Sequence, residues 1–191
     1  MTPVDFFFDP GCPFTWRASR WITGVAEAGV ATVTWRVMSL GLLHEGKEVP
    51  PEWRVPMEQN ARALRALVAA PDDARGRLYA ALGTRRHEKG LAYTDEEIAA
   101  AVAEADLPEA VAAAVDDASL DAAVRASHEE AQAAVGQESG SPVLRIGERA
   151  WFGPVVAPIP TGDEALRLFE AVRLLADVPS FSELKTRRNP A

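Results

Sequence analysis

The chain contains one cysteine, Cys12, which lies between an apolar run and a segment with helical periodicity. A thiol at the start of a helix meets free backbone N–H groups and the positive end of the helix dipole, so we expect a lowered thiol pKa. The resulting thiolate is the nucleophile of thiol–disulfide exchange. The alternative is a buried, inert cysteine, but the turn Asp9-Pro10-Gly11 is a poor place to bury the next side chain. We therefore predict that Cys12 is catalytic.

Thr15 lies three residues after Cys12, at the position where a dithiol oxidoreductase carries its second cysteine. Its hydroxyl either donates to the Cys12 sulfur across the first helical turn or satisfies a backbone group or water, and local chemistry leaves both open. We predict Thr15 as the second catalytic residue. Because the chain has no other cysteine, a mixed disulfide at Cys12 can be resolved only by an outside thiol.

Four further residues are predicted to bind the incoming thiol. Pro13 fits the first helical turn, where its missing N–H costs nothing, and Phe14 is expected to be exposed beside the thiol. Far along the chain, Ser141 and Pro142 lead into a second group of strands, as a proline does at the first position of a strand. Their peptide bond is either trans or cis, and only its combination with Cys12 and Pro13 favours cis.

The three histidines, His44, His87 and His128, do not have metal-ligand spacing with one another or with Cys12, so no metal site is expected. His87 lies in a cationic cluster after Arg85-Arg86. This cluster is either a solvated helix end or a site for an anionic or polar thiol cofactor. We predict that His87, and on weaker grounds His44, bind the thiol, whereas His128 is expected on the polar face of a helix.

The elements that must position these residues come in three groups. The first is strand, helix and strand, with Cys12 at the first strand-to-helix turn. The second is rich in Ala and charged residues and predicts four or five helices and no strands. The third is a hairpin followed by a helix. The corresponding ranges are 4–8, 13–28 and 31–38 for the first group, 53–135 for the second, and 143–146, 149–152 and a helix after Thr161 for the third.

Three patterns predict helix starts. Thr94 with Glu97 and Thr161 with Glu164 have capping-box spacing, and Ser119 suits an N-cap. Assembled, the elements predict one α/β domain over residues 1–191 with a thioredoxin fold. Its fold-forming parts are 1–45 and 136–178, and an all-helical subdomain, 53–135, is inserted between them.

Composition narrows the function classes. Lys and Arg total 20 against 28 Asp and Glu, so the formal net charge of −8 offers no basic footprint for nucleic acid or for an anionic membrane. The first residues have no signal-peptide pattern and no apolar run reaches membrane-spanning length, so we expect neither a signal peptide nor a membrane span. With a single cysteine, an oxidising compartment would add nothing to the fold, so a cytoplasmic location is expected.

Short motifs along nearly the whole chain resemble the DsbA-like branch of the thioredoxin superfamily. More narrowly, they resemble the actinobacterial mycothiol-dependent nitroreductase family. The order and spacing of the motifs together carry the resemblance. They are Phe8-Asp9-Pro10, Cys12-Pro13, Ser19-Arg20-Trp21, Val37-Met38-Ser39-Leu40, Arg86-His87, Gly140-Ser141-Pro142, Phe152-Gly153-Pro154 and Glu183-Leu184-Lys185.

The resemblance implies a cytoplasmic oxidoreductase that uses mycothiol, the low-molecular-weight thiol of actinobacteria, as co-substrate and reductant. By position, Cys12 would be the nucleophile, Pro142 the cis-proline that faces it, and His87 and His44 residues of the pocket. The implied partners are a small thiol or disulfide, or a nitro or other electrophilic compound. Protein mixed disulfides are a further candidate partner, and whether the chain forms a homodimer stays open.

Two residues depart from the family pattern, and three functions follow as hypotheses. Characterised members resemble Cys-Pro-Trp-Cys proteins, whereas this chain has Phe14 and Thr15 at the last two positions.

The preferred hypothesis is a monothiol thiol–disulfide oxidoreductase, with nitroreductase-like activity left open. The first alternative resembles kappa-class glutathione transferases, in which Thr15 would stabilise the thiolate of the small thiol. The second is a non-catalytic redox sensor whose Cys12 is capped under oxidative stress.

Overall fold

The computed structural model describes residues 1–136 and 138–186, so residue 137 of the predicted 136–178 part lies outside the described residues. The sheet has four strands: Thr2–Phe8 (β1), Ala31–Val37 (β2), Val143–Ile146 (β3) and Arg149–Phe152 (β4). Their order across the sheet is β2-β1-β3-β4. β1 pairs with β2 in parallel and with β3 antiparallel, and β3 and β4 form an antiparallel hairpin. All four strands are those that the alternating and apolar patterns predict.

Helix α1 (Pro13–Glu27) connects the two parallel strands. Pro13 occupies its first turn, and Gly29 follows its end with a φ of +75°, a left-handed conformation that glycine adopts without a Cβ clash. Because a parallel pair needs a crossover connection, the β1–α1–β2 order places Cys12 at the carboxyl end of β1. The predicted strand–helix–strand unit is confirmed.

The stretch between β2 and β3 is helical, as its composition predicts. Every element that the structure describes from residue 51 to residue 135 is a helix or a helical turn. Among the described residues, no helix combines the length and the apolar character needed to cross a membrane. The helices after β2 are Leu40–Leu43 (α2), Pro51–Ala69 (α3), Asp72–Gly83 (α4), Asp95–Glu104 (α5), Glu109–Ala113 (α6), Asp121–Val135 (α7) and, after β4, Gly162–Ala176 (α8).

Helices cover both faces of the sheet. On one face, Phe8 stacks on Tyr79 of α4 with ring centroids 4.0 Å apart. On the other face, Phe7 packs in a smaller cluster with Met38 and Ala131, the latter on α7. Because both faces are covered, the last three residues of β1, Phe6, Phe7 and Phe8, are all apolar and buried rather than alternating.

Of the three predicted helix starts, those at Thr94 and Thr161 are confirmed and the one at Ser119 is wrong. Thr94 does cap α5, since its hydroxyl accepts the Glu97 N–H. Ser119 lies instead in a short 3₁₀ turn, where the Asp117 carboxylate takes both its N–H and its hydroxyl. Thr161 precedes α8 but its side chain makes no capping hydrogen bond. At Thr161 the chain enters the helix through Gly162 at a φ of +53°, which alters the geometry that a capping hydroxyl needs.

Candidate functional site

Cys12 is the N-cap residue of α1, at the point where β1 ends. Its N–H donates to the Asp9 carbonyl at 3.2 Å, and its carbonyl accepts the Trp16 N–H at 3.0 Å. The side chain is buried, with 6% of its surface exposed. Its thiol donates to the Ser141 carbonyl across 3.6 Å, which joins the start of α1 to the segment before β3. The structure thus brings Cys12 and Ser141 together, although 129 residues separate them in sequence.

The expected lowering of the thiol pKa is wrong. Burial raises the pKa of Cys12 above its ordinary value, and this effect exceeds the opposing hydrogen bonds from Thr15 and Phe14. The nearby Asp9 carboxylate raises the Cys12 pKa further. Desolvation of the charged form therefore outweighs the helix N-terminus. The resting site holds a protonated thiol that donates to Ser141.

Thr15 and Ser141 form a buried hydroxyl pair beside the thiol. The Thr15 Oγ1 and Ser141 Oγ atoms are 2.5 Å apart, and Ser141 Oγ also accepts the Asp9 N–H at 2.9 Å. Thr15 is completely buried and Ser141 nearly so. The Thr15 hydroxyl therefore interacts both with a group other than sulfur, the Ser141 hydroxyl, and with the Cys12 sulfur. Its hydroxyl contacts Ser141, and its side chain also lowers the pKa of Cys12.

We expect Thr15→Val to shift the pH midpoint of Cys12 alkylation to higher pH. The thiolate is the reacting species, and the substitution removes a hydroxyl that stabilises it. The measurement is the rate of reaction with iodoacetamide as a function of pH. Thr15→Ser is the matched control, since it keeps the hydroxyl and should keep the wild-type midpoint. An unchanged midpoint in Thr15→Val would show that the hydroxyl serves Ser141 alone.

The other predicted thiol-binding residues of the two loops surround this pair. The Ser141–Pro142 peptide bond is cis, and the Pro142 carbonyl accepts the Gly153 N–H at 2.8 Å. Pro13 is exposed. Phe14 is half-buried rather than exposed, and the Arg17 guanidinium lies 5.9 Å from its ring centre. Of the two residues that follow Cys12, Pro13 is therefore the more accessible from solvent.

Asp9 holds the loop that carries Cys12. Its carboxylate accepts the Gly11 N–H at 2.8 Å, the Leu40 N–H at 2.7 Å and the Asn60 side-chain amide at 3.0 and 3.1 Å. Burial raises the pKa of Asp9, and these three donors oppose that rise. Gly11 must approach closely, because a Cβ there would lie 2.9 Å from the Asn60 Oδ1 atom. One carboxylate thus ties the Cys12 loop to α2 and α3.

His87 contacts the same loop from the opposite side. Its Nε2 lies 2.8 Å from the Pro10 carbonyl, so this nitrogen carries the proton that is donated. The ring also stacks on Trp16 at a centroid distance of 5.7 Å. The Tyr93 hydroxyl donates to the same Pro10 carbonyl at 2.8 Å. Burial lowers the pKa of His87, and Arg86 and Arg17 lower it further, so the ring is neutral near pH 7.

The other two histidines are placed differently. His44 ends α2, where its Nδ1 lies 2.7 Å from the Leu40 carbonyl and its ring packs edge-on against Trp53. The expected solvent-facing position of His128 is wrong. It is buried, and its Nδ1 accepts the Ser39 N–H at 3.4 Å. Within residues 1–136 and 138–186, no group of three or more His, Cys, Asp or Glu side chains is arranged to hold a metal ion.

Sequence reasoning missed several residues of the site. Asp9 was interpreted only as part of a turn, although an aspartate at the carboxyl end of a buried strand is also placed to bond neighbouring N–H groups. Asn60 and Tyr93 gave no local signal, because each reaches the Cys12 loop from a distant part of the chain. Their contact with the loop is a product of the fold and not of any nearby motif.

Solved structures share this architecture over most of their length. A 2-hydroxychromene-2-carboxylate isomerase superposes with a TM-score of 0.66 at 15% identity, covering 92% of this chain and 95% of that one. The cytosolic disulfide reductase DsbM from Pseudomonas aeruginosa, solved with GSH, gives 0.63 at 18% identity, covering 91% and 99%. At these identities the similarity shows the fold alone. The fold is the DsbA-like thioredoxin fold that the sequence predicts.

Sequence comparison gives the family. The uncharacterized protein Rv2286c of Mycobacterium tuberculosis is 34% identical over 210 aligned residues, which cover 100% of this chain and 84% of that protein. The model of the Rv2466c-like family, described as mycothiol-dependent nitroreductase Rv2466c, matches residues 11–186. This match begins just before Cys12 and includes β3, β4 and α8. The chain therefore belongs to the Rv2466c-like, mycothiol-dependent nitroreductase family.

Proposed function

We propose that this chain is a monothiol thiol–disulfide oxidoreductase that acts in the cytoplasm and uses mycothiol as its reductant. Cys12 is the nucleophile, and Thr15 and Ser141 adjust its charge state. The observation that carries the proposal is the geometry of the single cysteine. It caps α1, and its sulfur faces the Ser141 carbonyl in the turn before β3. The family match supports oxidoreductase chemistry at this site.

The reaction at Cys12 proceeds in two exchanges. The Cys12 thiolate attacks one sulfur of a small disulfide, an S–S bond to Cys12 forms, the original S–S bond breaks, and one thiolate leaves. The Cys12 sulfur is then released as thiolate when an outside thiol takes its place in the disulfide. These two exchanges release one substrate thiol and leave the other in a mixed disulfide with the outside thiol. A second outside thiol exchanges with that mixed disulfide, which releases the second substrate thiol and leaves the two outside thiols joined as a disulfide. No second cysteine competes for the mixed disulfide, since the chain has only Cys12.

The resting thiol needs a route to ionise, because burial raises its pKa. The Thr15 hydroxyl and the N–H groups at the start of α1 act in the opposite direction. They stabilise charge on sulfur where a small disulfide approaches from the Pro13 side, which is exposed. The resting thiol is therefore less reactive than an exposed one, but the thiolate, once formed, is stabilised by fixed hydrogen-bond donors.

We propose that mycothiol would meet this site through its thiol end. When bound, it supplies the sulfur and the electrons that resolve the mixed disulfide. Cys12 offers one protein sulfur, and the adjacent Ser141 carbonyl and Thr15 hydroxyl are polar partners for a thiol. A small-molecule disulfide or another electrophile is the second substrate. Nitro compounds are a further substrate class, suggested by the family's description.

The test is intact-mass analysis of the purified protein after mixing with mycothiol disulfide and then with excess mycothiol. We expect one added mycothiol per chain, located at Cys12 by peptide mapping, and its removal by excess mycothiol. Glutathione disulfide with excess glutathione, run in parallel, is the control for the choice of thiol. The adduct should clear more slowly with glutathione if mycothiol is the preferred reductant.

Three results would contradict all or part of the proposal. If no adduct forms at Cys12 with either disulfide, Cys12 is not the working nucleophile. If an adduct forms but excess thiol does not remove it, the chain is a redox sensor without turnover. Equal rates with the two thiols would keep the monothiol cycle and reject the assignment of mycothiol.

A further inference from the structure

Two arginines beside the Cys12 loop have no carboxylate partner. Eight described arginines make ion pairs within 4 Å, as expected for a chain with more acidic than basic residues. Within the ranges 1–136 and 138–186, Arg17 and Arg86 have no such pair. Other described arginines, Arg20 and Arg167 among them, also lack an ion pair, so what sets Arg17 and Arg86 apart is their position beside the Cys12 loop.

Both arginines lie against aromatic residues that border the Cys12 loop. The Arg17 guanidinium lies 5.9 Å from the Phe14 ring centre, and the Arg86 guanidinium lies 5.9 Å from the Tyr93 ring centre. Tyr93 donates to the Pro10 carbonyl, as does His87, which both arginines approach closely enough to lower its pKa. Arg17 lies five residues after Cys12, about 7.5 Å along the helix axis.

The Arg17 side chain also has an unsatisfied donor. Its Nη1 atom is shielded from solvent and has no hydrogen-bond partner in the described structure. A buried guanidinium nitrogen without a partner costs free energy, and native proteins leave few such groups unpaired. Arg36, Arg85 and Arg149 also have one unpaired nitrogen, but each makes another ion pair or hydrogen bond, whereas Arg17 makes neither within the described residues. Its Nη1 atom is therefore free to donate to an acceptor from outside the chain.

We propose that Arg17 and Arg86 form a subsite for the anionic group, a carboxylate in the simplest case, of the disulfide or electrophile that reacts at Cys12. This inference rests on the proposed function, because it assumes that the substrate is attacked by the Cys12 sulfur. The inference adds that the substrate carries a negative charge at a distance from its reacting atom that matches the spacing of Arg17 from Cys12, about 7.5 Å along the helix axis. A guanidinium binds a carboxylate through two parallel N–H donors.

Other charges near these arginines do not neutralise them. Arg20 lies on the Trp16 ring at 4.2 Å and adds a third cation to the same helix face. Burial lowers the pKa of Arg20, and Tyr79, Glu88 and Glu27 oppose that fall. Neither glutamate forms an ion pair with Arg17 or Arg86 within the part of the chain that the structure describes.

The test compares two alkylating reagents that differ in charge. Iodoacetate carries a carboxylate and iodoacetamide is neutral, and with both the Cys12 thiolate forms a C–S bond while iodide leaves. We expect the ratio of the iodoacetate rate to the iodoacetamide rate to fall about three- to tenfold in Arg17→Gln. It should fall further in the Arg17→Gln/Arg86→Gln protein. Arg167→Gln, an exposed unpaired arginine on α8, is the control for net charge and should keep the wild-type ratio.

An equal ratio in wild type, Arg17→Gln and Arg167→Gln would overturn the subsite. So would a matched loss of rate with both reagents, because the arginine would then act on the thiolate and not on the incoming anion. Lack of reaction with either reagent at any pH up to 10 would instead contradict Cys12 as nucleophile and the proposed function.

A second measurement does not depend on the thiol. In the Cys12→Ser protein, 4-nitrobenzoate is titrated against tryptophan fluorescence, with neutral 4-nitrobenzamide as the matched ligand. We expect tighter binding of the benzoate, and loss of that preference in the Cys12→Ser/Arg17→Gln protein. Equal binding of the two ligands by the Cys12→Ser protein would overturn the subsite even if alkylation of Cys12 proceeds normally.

Discussion

Replacing Cys12 by serine should reduce disulfide exchange by at least about 10³-fold, because a serine hydroxyl is not ionised near neutral pH and is a far weaker nucleophile toward sulfur. The measurement is turnover of bis(2-hydroxyethyl) disulfide with mycothiol as reductant, at pH 7.5 and pH 9. The two side chains have the same shape, so the variant should fold, which the thermal unfolding midpoint checks. Since Cys12 is the only cysteine, no other sulfur can substitute for it.

The Thr15→Val protein completes this experiment. In the proposed mechanism, Cys12→Ser removes activity, and Thr15→Val keeps part of it with a shifted pH dependence. In a kappa-class-like transferase the order is reversed, because the small thiol is the nucleophile and the Thr15 hydroxyl stabilises its thiolate. Substantial turnover in Cys12→Ser, together with its loss in Thr15→Val, would reject the monothiol mechanism in favour of that alternative.

Gly83→Ala should destabilise the protein by about 1–3 kcal/mol, which corresponds to a fall of about 2–4 °C in Tm per kcal/mol for a chain of this size. A Cβ at Gly83 would lie 2.1 Å from the Trp16 ring. The ring cannot easily move aside, because it packs edge-on against Tyr79 and stacks on His87. The measurement is the free energy of unfolding from urea titration.

Gly24→Ala is the matched control. Gly24 also lies within a helix, but a Cβ there would meet nothing within 4 Å. Removing a flexible glycine from a helix should raise the free energy of unfolding by about 0.5–1 kcal/mol. If the two substitutions changed stability equally, the close contact between Gly83 and Trp16 would not be a constraint on the fold. A displaced Trp16 should also move His87, so we expect altered Cys12 reactivity only in Gly83→Ala.

The sequence predicted the elements that are defined by local pattern. β1, β2 and the β3–β4 hairpin have apolar or alternating runs bounded by turn residues, and α1 has both a proline at its start and a glycine after its end. These signals depend on a few consecutive residues, so one sequence suffices. The Ser119 and Thr161 caps failed because a competing neighbour, Asp117 in one case and Gly162 in the other, changed the local geometry.

The candidate site was predicted in outline but not in its electrostatics. The approach of Cys12 to Ser141 followed from recognising the order of elements and the family motifs. The direction of the thiol pKa did not, because it depends on how completely the fold buries the sulfur, and no local pattern reports that. The same is true of the Asp9–Asn60 contact and of the Thr15–Ser141 pair, whose partners are 51 and 126 residues apart.

The hydroxyl pair of Thr15 and Ser141 also determines where one proton points. Ser141 Oγ accepts the Asp9 N–H, so the bond between the two hydroxyls uses one of their protons and leaves the other uncommitted. When Ser141 is the donor, the Thr15 hydrogen is free to turn toward the Cys12 sulfur. When Thr15 is the donor, its hydrogen points at the Ser141 Oγ atom and cannot reach the sulfur. Ionisation of sulfur can therefore reverse the polarity of this two-hydroxyl chain by rotation of hydrogens alone, with every heavy atom left in place.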